Sequence, residues 1–369
     1  MESSLKDILP YLVRFENISR YEDGEVLIGD RSKYPFERSF VRCGDVESVA
    51  QAIEHMVTQG SGPRHSAVYA MAMVSRQVEG REPAEVLQHL EAARVRLAAT
   101  RPTNTSIAHA LARMMAVARE ALACEMPLEE TLLQWIDKFF KESYDRITTV
   151  ARLGADLIED GDGILTMCFA EAPFIACLAI AAHQDGKRIK VYTPETRPYL
   201  QGARLTASSV HELGIPVQIV TDNMPAYLMS QTKIQKFFTG SDLVTLDGHV
   251  VNKIGTFQNA LAAHHHGVPY FAFSKGPDAE RPDRASVMIE ERDPAEVRAC
   301  RGIPTTSDEI PAYYPAFDIT PPYLVAGVIT VHGILSPYDL RRYYQDISSQ
   351  EVTTQTYSTT TPHLSLRGA

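Results

Sequence analysis

Between residues 163 and 273 the chain alternates short apolar runs with amphipathic stretches, and that rhythm constrains its fold more than any other feature. Residues 164–167, 188–192, 217–221, 236–238 and 269–273 read as strands, and 171–184, 200–213, 224–229 and 252–265 as the helices between them. Strands apolar on both faces and joined by helices need cover on both sides, which a parallel sheet of βαβ units provides. The expected fold class is therefore α/β, with a Rossmann-like parallel-sheet domain over residues 155–350.

The preceding segment has a different texture. Residues 14–36 read as short strands with turns. Helical spacing then takes over, first behind an Asp45 cap and then at 66–78, 83–99, 106–124 and 128–154. At 369 residues the chain exceeds what one core usually holds. A mostly helical N-terminal domain with a few short strands is expected over 1–125, joined by a connecting helix at 126–154. Residues 351–369, rich in Thr and Ser, read as a mobile tail.

Parallel sheets bind ligands outside the carboxyl ends of their strands. Cys168 and Asp242 fall there, one after the first strand of the sheet and one in the loop after 236–238. A thiol and a carboxylate at that edge can serve as an acid/base pair. A thiol before a helix expected to begin near Glu171 would have its pKa lowered by the helix dipole; the plainer reading is a buried structural cysteine, as for Cys177. A turn role is the plain reading of Asp242, although Asp247 before Gly248 fills that task better.

Other groups gather nearby. Asn252 and Lys253 are expected to open a helix and offer an anion site, with Asn252 as simple cap the compatible alternative. Arg101 and Arg197 each precede a proline at an expected helix start. His264, His265 and His266 point about 100° apart on a helix and do not converge on a metal. No G-x-G-x-x-G or P-loop occurs, so NAD and ATP are not supported.

A net charge of -10 argues against nucleic acid as a partner. The start has no signal-peptide pattern, and no apolar run is long enough for a membrane span. Five scattered cysteines form no ligand spacing and fit a reducing cytoplasm.

Four stretches carry a resemblance: Glu195-Thr-Arg-Pro-Tyr-Leu-Gln-Gly-Ala-Arg-Leu-Thr-Ala207, Gly214-Ile-Pro-Val-Gln-Ile-Val-Thr-Asp-Asn-Met224, Val251-Asn-Lys-Ile-Gly-Thr256 and Pro315-Ala-Phe-Asp-Ile-Thr-Pro-Pro322. Together they resemble the methylthioribose-1-phosphate isomerase family. That family is related to ribose-1,5-bisphosphate isomerases and to the regulatory subunits of the eukaryotic initiation-factor exchange complex. The resemblance covers roughly residues 12–345.

It implies that Cys168 and Asp242 are the catalytic pair and that Arg101, Gln201, Asn252 and Lys253 bind substrate and phosphate. It further implies an aldose–ketose isomerase of a 5-substituted ribose 1-phosphate in methionine salvage, working as a homodimer on a small sugar phosphate without metal or organic cofactor. Two departures stand out. The family's Arg-Gly-Ala-Pro, whose arginine touches substrate, is replaced around Gln59, with Arg64 as a candidate substitute. The family's His-Cys-Asn-Ala-Gly becomes Met167-Cys168-Phe169-Ala170-Glu171, and a glutamate there would raise the thiol pKa. These changes allow a different C5 substituent. The contrasting reading is a non-catalytic subunit that senses sugar or nucleotide phosphates or serves assembly, like the family's regulatory relatives.

Overall fold

The computed structural model describes residues 5–101 and 105–344. The expected tail at 351–369 lies outside them. In chain order the first elements are short: α1 (Leu5–Ile8), α2 (Phe15–Ile18), and the antiparallel strands β1 (Ser19–Glu22), β2 (Glu25–Gly29) and β3 (Phe40–Cys43). The expectation of strand from Arg14 onward is corrected here. Phe15 and Ile18 are buried one helical turn apart, and the Phe15 N–H donates to Tyr144 Oη at 2.9 Å, which stabilises a turn of helix.

Five helices follow: α3 (Val46–Glu54), α4 (Gly62–Gln77), α5 (Pro83–Ala99), α6 (Thr105–Ala123) and the long α7 (Leu128–Asp156). The expected Asp45 cap is present as a reciprocal capping box with Ser48. Their apolar faces meet in one core that includes Val68, Met71, Leu97, Leu111, Ile136 and Phe140. The first half of α7 belongs to this core and its second half to the next, so the helix bridges the two parts.

The remainder is built on β4 (Gly163–Thr166), α8 (Glu171–Ala179), β5 (Lys190–Pro194), α9 (Ala207–Glu212), β6 (Val217–Val220), α10 (Pro225–Ser230), β7 (Lys236–Thr239), β8 (Leu243–Val244), β9 (Val250–Lys253), α11 (Thr256–His265) and β10 (Tyr270–Phe273). A two-residue ribbon of β11 (Ala299–Cys300) and β12 (Ile303–Pro304) precedes β13 (Phe317–Thr320), β14 (Gly327–Thr330) and β15 (Gly333–Leu335). The main sheet has the order β15-β14-β10-β7-β4-β5-β6, and all its pairs are parallel except β14 with β15. β13, β9 and β8 form a separate antiparallel sheet.

From β4 the chain runs outward to β5 and β6, then returns to the other side of β4 for β7 and β10. The direction of winding therefore switches between β4 and β7, where open α/β sheets place their ligand crevice. Among the described residues, no helix is long and apolar enough to cross a membrane.

Residues 252–265 were expected to be one helix. Instead Val250–Lys253 is a strand paired on both sides, and the helix begins at Thr256, after Gly255. The β-branched Val250 and Val251 and the partner strands override the local helical pattern.

Candidate active site

Cys168 leaves β4 and Asp242 leaves β7, so the two flank the switch point at the carboxyl edge of the sheet. Several contacts place their loops side by side. Gly240, before Asp242, lies against Ala170 so closely that a Cβ would stand 3.5 Å from Ala170 Cα. The Asp242 N–H donates to Val251 O at 2.9 Å, and Ser241 Oγ donates to Phe273 O at 2.9 Å. The Cys168 turn is left-handed (φ 64°), with its N–H donated to Thr196 Oγ1 at 3.1 Å and its carbonyl accepting from Thr206 Oγ1 at 2.5 Å. Dihedrals of this kind in non-glycine residues persist only where surrounding structure over-determines them.

Electrostatics join the pair to four cations. Burial pushes the Cys168 thiol up to about 11, against the lowering effects of Lys253 and Arg292 and with a further rise from Asp242. The expected lowering by the helix start is thus reversed, because desolvation of a thiolate outweighs the dipole. Asp242 keeps accessible surface yet is crowded by protein, as a group on the floor of a solvent-filled cleft would be. That crowding raises its carboxyl pKa, opposed by Lys253, Arg292 and Lys275. Lys253 is buried, and its pKa is lowered by that burial, with Cys168 and Asp242 acting in the opposite sense. Lys275, beyond β10, keeps accessible surface like Asp242, and crowding by protein together with Arg64 lowers its pKa.

The structure brings together four of the expected residues, Cys168, Asp242, Lys253 and Arg101. Arg101 is half-buried, donates to Ile53 O at 3.3 Å and meets Met56 Sδ, while Asp242 and Arg292 bear on its charge. Lys253 Nζ lies 4.6 Å from the ring centroid of Phe317, its partner across β9 and β13. Gln201 is buried with Oε1 unpartnered, and the adjoining Gly202 packs on Thr196, since a Cβ there would stand 2.9 Å from Thr196 Oγ1.

Four placements differ from expectation. Asn252 and Lys253 project from a strand and not from a helix start. Two of the N–H groups at that helix start are already taken, because Gly255 N and Phe257 N donate to the Asp318 carboxylate at 2.7 and 3.1 Å. A carboxylate seated there repels phosphate, so any anion is held by side chains and not by this helix terminus. Asn252 itself donates Nδ2 to Thr256 Oγ1 at 3.0 Å. Gln59 contributes its carbonyl to Arg31 and leaves Nε2 buried without a partner. Arg64 stacks 5.0 Å over the Phe139 ring with Nε unpartnered, and its charge neighbours are Arg146 and Glu171. Finally, Glu171 is turned away from the thiol toward Arg31 and Ser61.

Thr196, Thr206, Arg31, Lys275 and Arg292 were not anticipated. Thr196 and Thr206 lie inside the quoted 195–207 motif, so their position was visible although their hydrogen bonds were not. Arg292 and Lys275 come from the long connection after β10, which carries no periodic pattern. Beside Lys253, a cavity of about 180 Å³ opens between Arg197, Pro198, Ile254, Val297 and Tyr314.

The sequence profile described as the Initiation factor 2 subunit family matches residues 58–337. A methylthioribose-1-phosphate isomerase of Pelotomaculum thermopropionicum is 36% identical over 333 residues, covering 86% of this chain and 90% of that protein. The crystal structure of 5-methylthioribose 1-phosphate isomerase from Pyrococcus horikoshii OT3 superposes with a TM-score of 0.81 at 29% identity, covering 94% and 99% of the two chains. The translation initiation factor eIF-2B subunit delta from A. fulgidus superposes at 0.76 with 32% identity, covering 87% of this chain and 96% of that one.

Proposed function

The chain belongs to the Initiation factor 2 subunit family, and from that premise we propose that it converts 5-methylthioribose 1-phosphate, or a close 5-modified analogue, to the corresponding ribulose 1-phosphate. It is an isomerase of that family. The observation that carries the finer reading is the pairing of Cys168 and Asp242 across the switch point, each with a raised pKa and both beside Lys253.

A carboxyl group whose pKa is raised keeps its proton for longer, as a ring-opening acid requires. Asp242 delivers that proton to the ring oxygen as the C1–O bond breaks. Hydrogen then passes from C2 to C1 with its electron pair, reducing C1 and oxidising C2 to the ketone. The C2 hydroxyl proton returns to Asp242, so no outside oxidant or reductant is needed.

Crowding that raises the Cys168 pKa keeps the thiol mostly un-ionised at neutral pH, which disfavours it as a base removing the C2 proton. Its neutral form offers no thiolate base for C2, which favours the hydride route. Lys253 and Arg101 supply positive charge for the phosphate, and the buried Oε1 of Gln201 is matched to a sugar hydroxyl. Ile254, Val297 and Tyr314 give the neighbouring cavity an apolar wall suited to a methylthio group. The homodimer is carried over from the resemblance.

Product NMR in deuterium oxide tests the scheme. The hydride route predicts a ketose 1-phosphate with no deuterium at C1. Deuterium at C1 would instead assign C2 proton abstraction to a base in the site.

A further inference from the structure

Glu171 has no part in the isomerisation above, yet its carboxylate is held by two side chains from the N-terminal part of the molecule. It begins α8 with a left-handed φ of 59°, so the turn from Cys168 to Glu171 is left-handed at both ends. The family motif has glycine at this place, where that dihedral is free of strain. Here the side chain points at the N-terminal part of the molecule. Its Oε1 accepts from Arg31 Nη1 at 2.6 Å and its Oε2 from Ser61 Oγ at 2.9 Å.

Arg31 is itself fully committed. It is only 2% exposed, and Nη1 also donates to Gln59 O at 2.8 Å while Nη2 reaches Leu12 O at 3.3 Å. Its guanidinium lies 5.4 Å from the ring centroid of Phe169, the residue after the thiol. The loop opposite is moulded to the carboxylate, since a Cβ on Gly60 would stand 2.0 Å from Glu171 Oε1. One ion pair, with Arg31 buried and Glu171 partly so, therefore fastens the Cys168 turn to residues 59–61, the segment where the family's Arg-Gly-Ala-Pro is replaced.

We propose that Arg31 and Glu171 are a positioning pair, which ties the catalytic turn to the N-terminal loop and keeps the Cys168 thiol in its shielded setting without touching substrate. The proposal rests on Cys168 being a site residue, and its test does not depend on which sugar is turned over. Breaking one partner leaves a buried charge unpaired, whereas removing both does not. The variants are therefore Glu171→Gln, Arg31→Lys and the double Arg31→Gln/Glu171→Gln, in the full chain. The probe is the iodoacetamide modification rate of Cys168, resolved from the other cysteines by peptide mass and followed against pH, alongside kcat, KM and Tm.

The pair predicts faster Cys168 modification in Glu171→Gln and in the double variant. It also predicts a kcat loss of about tenfold to a hundredfold with KM nearly unchanged. The double variant is expected to be no worse than the single, and Arg31→Lys to recover part of the loss. A lower Tm with the Cys168 modification rate and pH profile unchanged would overturn the proposal. If the wild type turns over no sugar phosphate, the functional reading fails while the modification rates still decide on the pair.

Discussion

Cys168 and Thr196, each with φ of 64°, are joined by a hydrogen bond of 3.1 Å from the Cys168 backbone N–H to Thr196 Oγ1. The two residues end adjacent parallel strands, so one side-chain oxygen fixes the turn of β4 from the turn of β5. Thr196 is in turn held by Asp222, whose carboxylate accepts the Thr196 N–H at 2.7 Å. The Cys168 thiol is thereby located by neighbouring loops and not by its own helix.

Replacing Thr196 by Val removes that acceptor while keeping the shape. A buried N–H left unpaired costs about 1–3 kcal/mol, so urea unfolding should show a loss of that size. Activity should fall further than stability alone explains, and Thr196→Ser should keep most of both.

The charges around the thiol act with opposite signs. Asp242 raises the Cys168 pKa and Lys253 lowers it. Asp242→Asn should therefore shift the alkylation profile of Cys168 to lower pH, and Lys253→Met should shift it to higher pH. In the wild type the rate should climb with pH toward about 11. A midpoint near the usual thiol value would contradict the crowding of the thiol by protein.

Lys253 and Arg101 are the cations assigned to phosphate. A hydrogen bond to a charged group contributes about 1.5–3 kcal/mol, so Lys253→Met and Arg101→Ala should each weaken binding by roughly tenfold to a hundredfold. Inhibition by inorganic phosphate should weaken in parallel. Substrate KM unchanged in both variants would assign the phosphate to other groups.

Packing between the connecting helix and the sheet offers a test of the fold. Gly154 on α7 faces Phe273, and a Cβ there would stand 2.6 Å from Phe273 Cζ and 3.0 Å from Cys177 Sγ. Gly154→Ala should cost about 1–3 kcal/mol by overpacking, although alanine favours helix. Thermal unfolding measures it.

The alternation of apolar strands and helices was legible because buried parallel strands leave a pattern of period and composition. Cys168 and Asp242 were legible through their positions at strand ends. Asn252 and Lys253 were misplaced on a helix because strand β13, distant in sequence, pairs with both of them and decides that segment. The occupation of the α11 start by Asp318 had no local signal, since the acid arrives from another strand. Glu171 was read by its charge alone. Its partner, Arg31, lies far back in the sequence and holds the carboxylate, which was expected to raise the thiol pKa, toward the N-terminal loop. Pairing across sequence distance is the information a single strand or helix pattern does not hold.

The most direct test of the account is turnover of 5-methylthioribose 1-phosphate followed by NMR of the ketose product, with Cys168→Ser and Asp242→Asn beside the wild type. The account predicts steady formation of the ribulose 1-phosphate by the wild type, and loss of turnover in both variants with Tm and phosphate binding retained. Sugar phosphate bound by all three proteins and converted by none would contradict it, and would instead make the crevice between β4 and β7 a sensing site.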